Sequence, residues 1–389
     1  MAQRTPAYRN ALAVLAVALF WSGLLVFLTV RGVNPVPPFI FSIALTIAAT
    51  PFLLSPVTLA MLFRHELAFW ALGYLLLGAI SLIFGFQGPS GIAAMRERVT
   101  MTLFLFTMVG ILSHPAVHRR CGLFLAYGGL VTVVLGAVDL LRPLTFSSVI
   151  GRAAGLYINP NIAAVALITS VLAAAATVRR GREVLITVLV LGSAMTLSRG
   201  GLLVMGVVAV MLLWTGRIRV RWLVAAIAAM ALILTVTGLW EDVSRNISQS
   251  SLMAERLRVL TEGSSGVSNA FDDVSTNERT AAAALAWQLF LAHPFLGAGI
   301  GATTDWALSF STHNIYLRHL AEHGVLGIWI YPVFAWAVAH RAPKVIRWPT
   351  AVAILLLGLI SHNTLDEWPI LLFAAWCAAT PPLPLERAT

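Results

Sequence analysis

Apolar runs long enough to cross a bilayer recur from one end of this chain to the other. A hydrocarbon core about 30 Å thick needs about 20 apolar helical residues. The pattern predicts helices near 11–30, 37–62, 67–87, 94–113, 120–141, 158–178, 183–197, 199–215, 221–240, 314–339, 349–365 and 368–380. That is about twelve spans; the runs at 183–197, 199–215 and 368–380 are short, so ten or eleven also fit. The longest polar stretch, from Glu241 to Thr312, leads straight into His313-Asn314 at the start of a new apolar helix. The first apolar run follows Arg4 and Arg9 and has no obvious small-residue cleavage site, so it is expected to be a retained helix.

Composition agrees with that pattern. The chain has 389 residues, 59% hydrophobic and 11% charged, against about 25% charged in a soluble domain. An all-α polytopic membrane protein follows, with residues 1–389 as one integral membrane domain. The basic residues set its orientation. With twelve spans, one side holds most of them, including Arg64, Arg119, Arg120, Arg179, Arg180, Arg182, Arg217, Arg219, Arg221, Arg341, Lys344 and Arg347. That side is expected to be cytoplasmic, so the 241–312 loop faces outward, with short helices over a site. The net charge of +10 is a topology signal with attraction to anionic membrane lipid as a second use. No aromatic-interleaved basic patch points to nucleic acid. Cys121 and Cys377 both fall in apolar runs, which gives no disulfide framework.

Three arginines on the outward side break the charge rule, and such exceptions often mark function. Arg152 precedes Asn159-Pro160-Asn161, a helix start. The asparagines either only cap that helix or, with the arginine and exposed amides, receive an anion. Arg199 sits in Ser198-Arg199-Gly200-Gly201, expected as a turn between two apolar runs, where the glycines allow a tight backbone. Arg279 follows Ser275 and precedes Ala281, and Ser275 with Glu278 matches a capping box. A helix starting there puts Arg279 in its first turn, where a cation opposes the dipole. Such a placement suits a bound external anion or a pair with Asp272 or Asp273.

Two motifs carry less. His319-Leu320-Ala321-Glu322-His323 matches a zinc-peptidase pattern. It lies in an apolar run, and Arg318, one turn before Glu322, offers that carboxylate a partner. No metal is expected. Gly297-Ala298-Gly299-Ile300-Gly301 has the wrong spacing for a nucleotide loop and no βαβ unit around it, so it is expected as a flexible loop.

Four segments together resemble the O-antigen ligase and polymerase superfamily of bacterial envelope glycosyltransferases. They are 152–161, Ser198-Arg199-Gly200-Gly201, Arg279 through His293-Pro294-Phe295-Leu296-Gly297-Ala298-Gly299, and His313-Asn314-Ile315-Tyr316-Leu317 with Glu322-His323-Gly324. The resemblance covers about residues 150–330. It implies a GT-C-like helical fold in the bacterial inner membrane, with one large periplasmic loop. It also implies an undecaprenyl-diphosphate-linked glycan as donor and no cofactor. In the ligase subgroup the acceptor is the lipid A–core of lipopolysaccharide. One long outward loop and a short C-terminal part favour that subgroup over a polymerase or a protein O-oligosaccharyltransferase.

Within that resemblance the residues take roles. No Asp-x-Asp pair is present to hold a metal; guanidinium forks bind phosphate oxygens bidentately and stay charged. Arg152, Arg199 and Arg279 are expected on the diphosphate. His313, at a helix N-terminus whose dipole disfavours imidazolium, is expected to be the general base. Asn314 and Tyr316, with Asn159 and Asn161, are secondary candidates for orienting substrate or base. His362, Asn363, Asp366 and Glu367 form a further polar cluster that either binds acceptor sugar or solvates a short loop. A transporter of anions or lipids is the rival from another class; it predicts internal repeats, and none is visible.

Overall fold

The computed structural model describes residues 5–85, 88–222, 224, 228, 270–306 and 312–379. Among these, every regular element is helical. The helices are α1 (Thr5–Ala16), α2 (Leu24–Val30), α3 (Pro38–Leu53), α4 (Pro56–Phe63), α5 (Glu66–Phe84), α6 (Pro89–Leu112) and α7 (Pro115–Leu141). They continue with α8 (Pro160–Thr177), α9 (Arg182–Ala194), α10 (Arg199–Trp214), α11 (Ala270–Ala292), α12 (Ile315–His323), α13 (Ile330–Arg341), α14 (Arg347–Ile360) and α15 (Trp368–Ala378).

Among the described residues four helices are long and apolar enough to cross a membrane: Glu66–Phe84, Pro115–Leu141, Pro160–Thr177 and the continuous run Ile315–Arg341. A fifth results if Ala7–Trp21 and Leu24–Val30, bent by 47°, form one broken span. The expectation of about twelve spans is therefore not reproduced. Several expected spans are helices too short for the test, such as Pro38–Leu53, Arg199–Trp214, Arg347–Ile360 and Trp368–Ala378. The expected span at 94–113 is a full-length helix, but Arg96, Glu97 and Arg98 interrupt its apolar face. Most of the expected span at 221–240, and residues 241–269 and 307–311 of the expected loop, lie outside the described residues.

The bend in the first pair has a local cause. Val17–Trp21 forms a π turn, and Gly23 follows at φ 79°. A Cβ on Gly23 would meet the Tyr157 ring at 2.8 Å, so glycine is needed there for both conformation and space. The Tyr157 hydroxyl donates to the Trp21 carbonyl at 2.7 Å, and Trp21 Nε1 donates to Thr169 Oγ1 at 3.3 Å. These bonds fasten the bend to α8.

The core is built on α8 and α15. Every side chain of α15 is buried, the pattern of a helix enclosed on all sides. Trp368 at its start packs on Phe20 and Phe104, with ring centroids 4.7 and 4.8 Å away. Helix α8 is rich in alanine, and the small side chains let neighbouring backbones approach closely. At the far end of the bundle Arg341 grips Glu66 through two bonds of 2.7 and 3.0 Å, a bidentate clamp between the end of α13 and the start of α5.

Candidate functional site

Four helix N-termini converge on one cavity of about 390 Å³, within the usual size range of a small-molecule site. Its wall includes Asn159 and Asn161 from the start of α8, Ser198 to Gly201 from the start of α10, His313 and Asn314 from the start of α12, and Glu367 before α15. Three of these starts share one backbone device. Ile158, Leu197 and His313 have φ of 63°, 46° and 50°, the left-handed region that non-glycine residues rarely occupy, at about 1–3 kcal/mol each. Next to Ile158 and Leu197 stand Asn159 and Ser198, and next to His313 stands Asn314, each capping its helix. Asn159 accepts from the Asn161 amide, Ser198 from the Gly201 amide, and Asn314 from the amides of Tyr316 and Leu317. The sharp reversal turns each helix's positive end toward the cavity, where the dipoles together favour an anion.

Arg152 and Arg199 lie on the same wall. Arg152 Nε donates to the Thr196 carbonyl at 3.0 Å, and its Nη2 donates to Asn161 Oδ1 at 3.0 Å. Ser198 Oγ donates to the same Asn161 oxygen at 2.8 Å, so the starts of α8 and α10 are tied through one amide. The segment carrying Arg152 is held by Asp139, a buried carboxylate near the end of α7. Its Oδ1 accepts from the amides of Phe146 and Ser147, and its Oδ2 from those of Ala154 and Gly155, at 2.7 to 3.0 Å. Four such charge-assisted bonds fix the loop's path. Asp139 was not singled out from the sequence; a lone acid inside an apolar run was the available signal.

Ser198-Arg199-Gly200-Gly201 is not the expected turn. It is the cap and first turn of α10, and the glycines serve packing. A Cβ on Gly200 would run 2.5 Å from Ile360, and one on Gly201 2.5 Å from Ala164. Their absence brings α10 close to both α14 and α8.

His313 is half-buried on the cavity wall, one residue before the α12 cap. Its ring meets His362 edge-on, with centroids 5.4 Å apart. His362, Asn363 and Glu367 belong to the α14–α15 loop and also line the cavity. Burial and the nearby charge of Arg318 push the His362 ring down to about 3, so it is neutral at ordinary pH. Burial pushes Glu367 up to about 8, with the Asp366 charge adding to the effect.

Two expected residues stand differently. Tyr316 is not among the lining residues; its hydroxyl donates to the Leu355 carbonyl at 3.0 Å and its ring packs on Tyr331. Arg279 is not in a first helical turn, because α11 already begins at Ala270 and the Ser275/Glu278 capping box falls inside it. The side chain of Arg279 is outside the described residues. Its backbone lies one helical turn before Ala283, which lines the cavity.

The His319, Glu322 and His323 donor atoms lie within 4.8 Å of one another, all buried. Two guanidiniums already face them. Arg98 Nη2 donates to His323 Nε2 at 2.9 Å and lies 3.8 Å from Glu322 Oε2. Arg318 Nε is 3.5 Å from Glu322 Oε1, to which Thr303 Oγ1 also donates at 2.6 Å. The expected pairing of Arg318 with Glu322 is thus present, and fixed cations stand beside the donors a metal would need. Chelators are expected to leave activity unchanged, and His319→Ala to be far milder than His313→Ala; stoichiometric zinc by elemental analysis, with activity lost on its removal, would contradict this.

The Gly297–Gly301 segment is a packed brace and not an open flexible loop. The Ala298 amide donates to the Ala321 carbonyl at 2.7 Å and the Gly299 amide to that of Glu322 at 3.2 Å. Gly297, at φ 74°, would press any Cβ into the backbone of Glu322 and His323.

Residues 184–332 match the family model described as O-antigen ligase. The matched segment includes Arg199, Arg279 and His313. Arg152, the two asparagines of α8 and the α14–α15 loop lie outside the matched residues. No curated protein matches the chain.

Proposed function

We propose that this protein transfers a glycan from undecaprenyl diphosphate to the lipid A–core of lipopolysaccharide, at the periplasmic face of the inner membrane and without a metal. The observation that carries the reading is one cavity where Arg152, Arg199 and His313 meet the N-termini of α8, α10, α12 and α15. The Arg152 and Arg199 guanidiniums and the amides at the starts of α8 and α10 receive the diphosphate and stabilise the charge that develops on it as the glycosyl bond breaks. Arg279, on α11 one helical turn before Ala283, is assigned to the same set. His313 accepts the proton of the acceptor hydroxyl as that oxygen attacks the anomeric carbon, and the lipid diphosphate departs. The apolar helices support a site where a polyprenyl tail can stay in the membrane while its head group enters the cavity.

The test is transfer by purified protein from a lipid-diphosphate glycan, scored by a new glycosidic product. Arg199→Ala is expected to weaken donor binding and transfer together by about ten- to a hundredfold, since an arginine–phosphate bond is charge-assisted. Arg199→Lys should recover only part of the loss, because the charge stays and the fork goes. Arg152→Ala should act in the same direction less strongly, as Arg152 also spends donors on Thr196 and Asn161. Donor binding by Arg199→Ala as tight as wild type would overturn the assignment.

A further inference from the structure

The α14–α15 loop differs in chemistry from the rest of the cavity wall. The arginines and capped helix starts of α8 and α10 suit an anion. Residues 361–367 contribute Ser361, His362, Asn363 and Glu367 to the wall, and no cation. A carboxyl there adds no positive charge for a phosphate and suits hydroxyl groups, which both donate and accept. The loop also carries polar atoms without partners. Glu367 is 7% exposed, and its Oε2 has no hydrogen-bond partner; neither has His362 Nδ1. An unpaired buried polar atom is costly, and one on a cavity wall is most simply explained by a ligand or water that satisfies it. Asn363, whose Oδ1 accepts from Ser361 Oγ at 2.6 Å, adds an amide donor to the same stretch.

The loop is held firmly enough to act as a recognition surface. Arg318 Nη1 donates to Asp366 Oδ2 at 3.0 Å and to the His362 carbonyl at 3.1 Å. One side chain from α12 therefore fastens the loop to the helix that follows His313. The His362 ring in turn touches the His313 ring. A group bound on this loop sits beside the base.

We propose that the α14–α15 loop is the acceptor subsite, in which Glu367 and His362 hydrogen-bond ring hydroxyls of the acceptor saccharide and present the reacting hydroxyl to His313. This rests on the transfer reading given above. Glu367 serves as a hydrogen-bonding carboxyl and not as the base: it orients the sugar, while His313 takes the proton.

The experiment is steady-state transfer by the full-length protein, with an undecaprenyl-diphosphate glycan as donor and lipopolysaccharide lacking O-antigen as acceptor. Each KM is measured with the other substrate saturating. Glu367→Ala is expected to raise the acceptor KM by about tenfold, the effect of one buried hydrogen bond, and to leave the donor KM within about twofold. Glu367→Gln keeps the shape and a hydrogen-bonding amide and should stay within about threefold of wild type. An unchanged donor KM shows that the variant protein is folded and its arginine wall intact. If the acceptor KM of Glu367→Ala is unchanged, or the donor KM rises as much as that of the acceptor, the subsite is overturned while the transfer reading stands. A wild-type protein that forms no product with any acceptor overturns the transfer reading, and the subsite with it.

Discussion

His313→Ala is expected to lower transfer by about a hundred- to ten-thousand-fold, the usual worth of a positioned general base, while donor-lipid binding stays close to wild type. The contrast follows from what each group touches. A base acts on the acceptor hydroxyl and has no part in holding the diphosphate, so its loss should appear in turnover and not in donor affinity. The backbone supports the placement. His313 is held at φ 50°, directly before the Asn314 cap, a conformation that costs free energy and persists only where surrounding structure enforces it. Its ring stands edge-on to that of His362 on the cavity wall. The measurement is single-turnover transfer alongside equilibrium donor binding. Near-normal transfer by His313→Ala would end the role, and a matching loss of donor binding would move His313 to the diphosphate.

Much of this site is legible in the sequence, because its signals are local. Asn159, Ser198 and Asn314 are cap residues before apolar runs, and Arg152 and Arg199 defy the charge asymmetry of the helices around them. Such features need no knowledge of packing. What was not legible depends on contacts between distant segments. Nothing in Gly200-Gly201 says that Ile360 and Ala164 will lie against them. Nothing in Asp139 alone says that it will gather four amides from residues 146–155. Tyr316 follows the cap as closely as Leu317 does, yet the helix turns Leu317 to the cavity and gives the tyrosine hydroxyl to Leu355. The count of spans was less legible: among the described residues several expected spans, such as α15, are helices of 10–17 residues, and α15 is buried on every side.

The second large effect is expected at Glu322, and it concerns folding. Its carboxylate is fully buried and faces Arg318 at 3.5 Å and Arg98 at 3.8 Å, with Thr303 Oγ1 donating to it. Arg98 is 2% exposed and has few other recourses: the His323 ring, the Tyr74 carbonyl at 3.4 Å, and the Tyr74 ring 4.1 Å away. Removing one partner of a buried ion pair leaves the other charge uncompensated, at about 3–5 kcal/mol. Glu322→Ala should therefore lower the yield of folded protein and its thermal midpoint in detergent. Glu322→Gln, which keeps a hydrogen-bond acceptor for Thr303, should recover only part. Arg318 keeps Asp366 as a partner in either variant, so the orphan is chiefly Arg98. That identifies the compensating change: Arg98→Met in the Glu322→Gln background should be less destabilising than the sum of the two single changes, by about 0.5–3 kcal/mol of coupling. Strict additivity in that cycle would show that the two side chains do not sense each other. A Glu322→Ala protein as stable as wild type would mean that the buried carboxylate contributes nothing that Asp366 and the surrounding dipoles do not already supply.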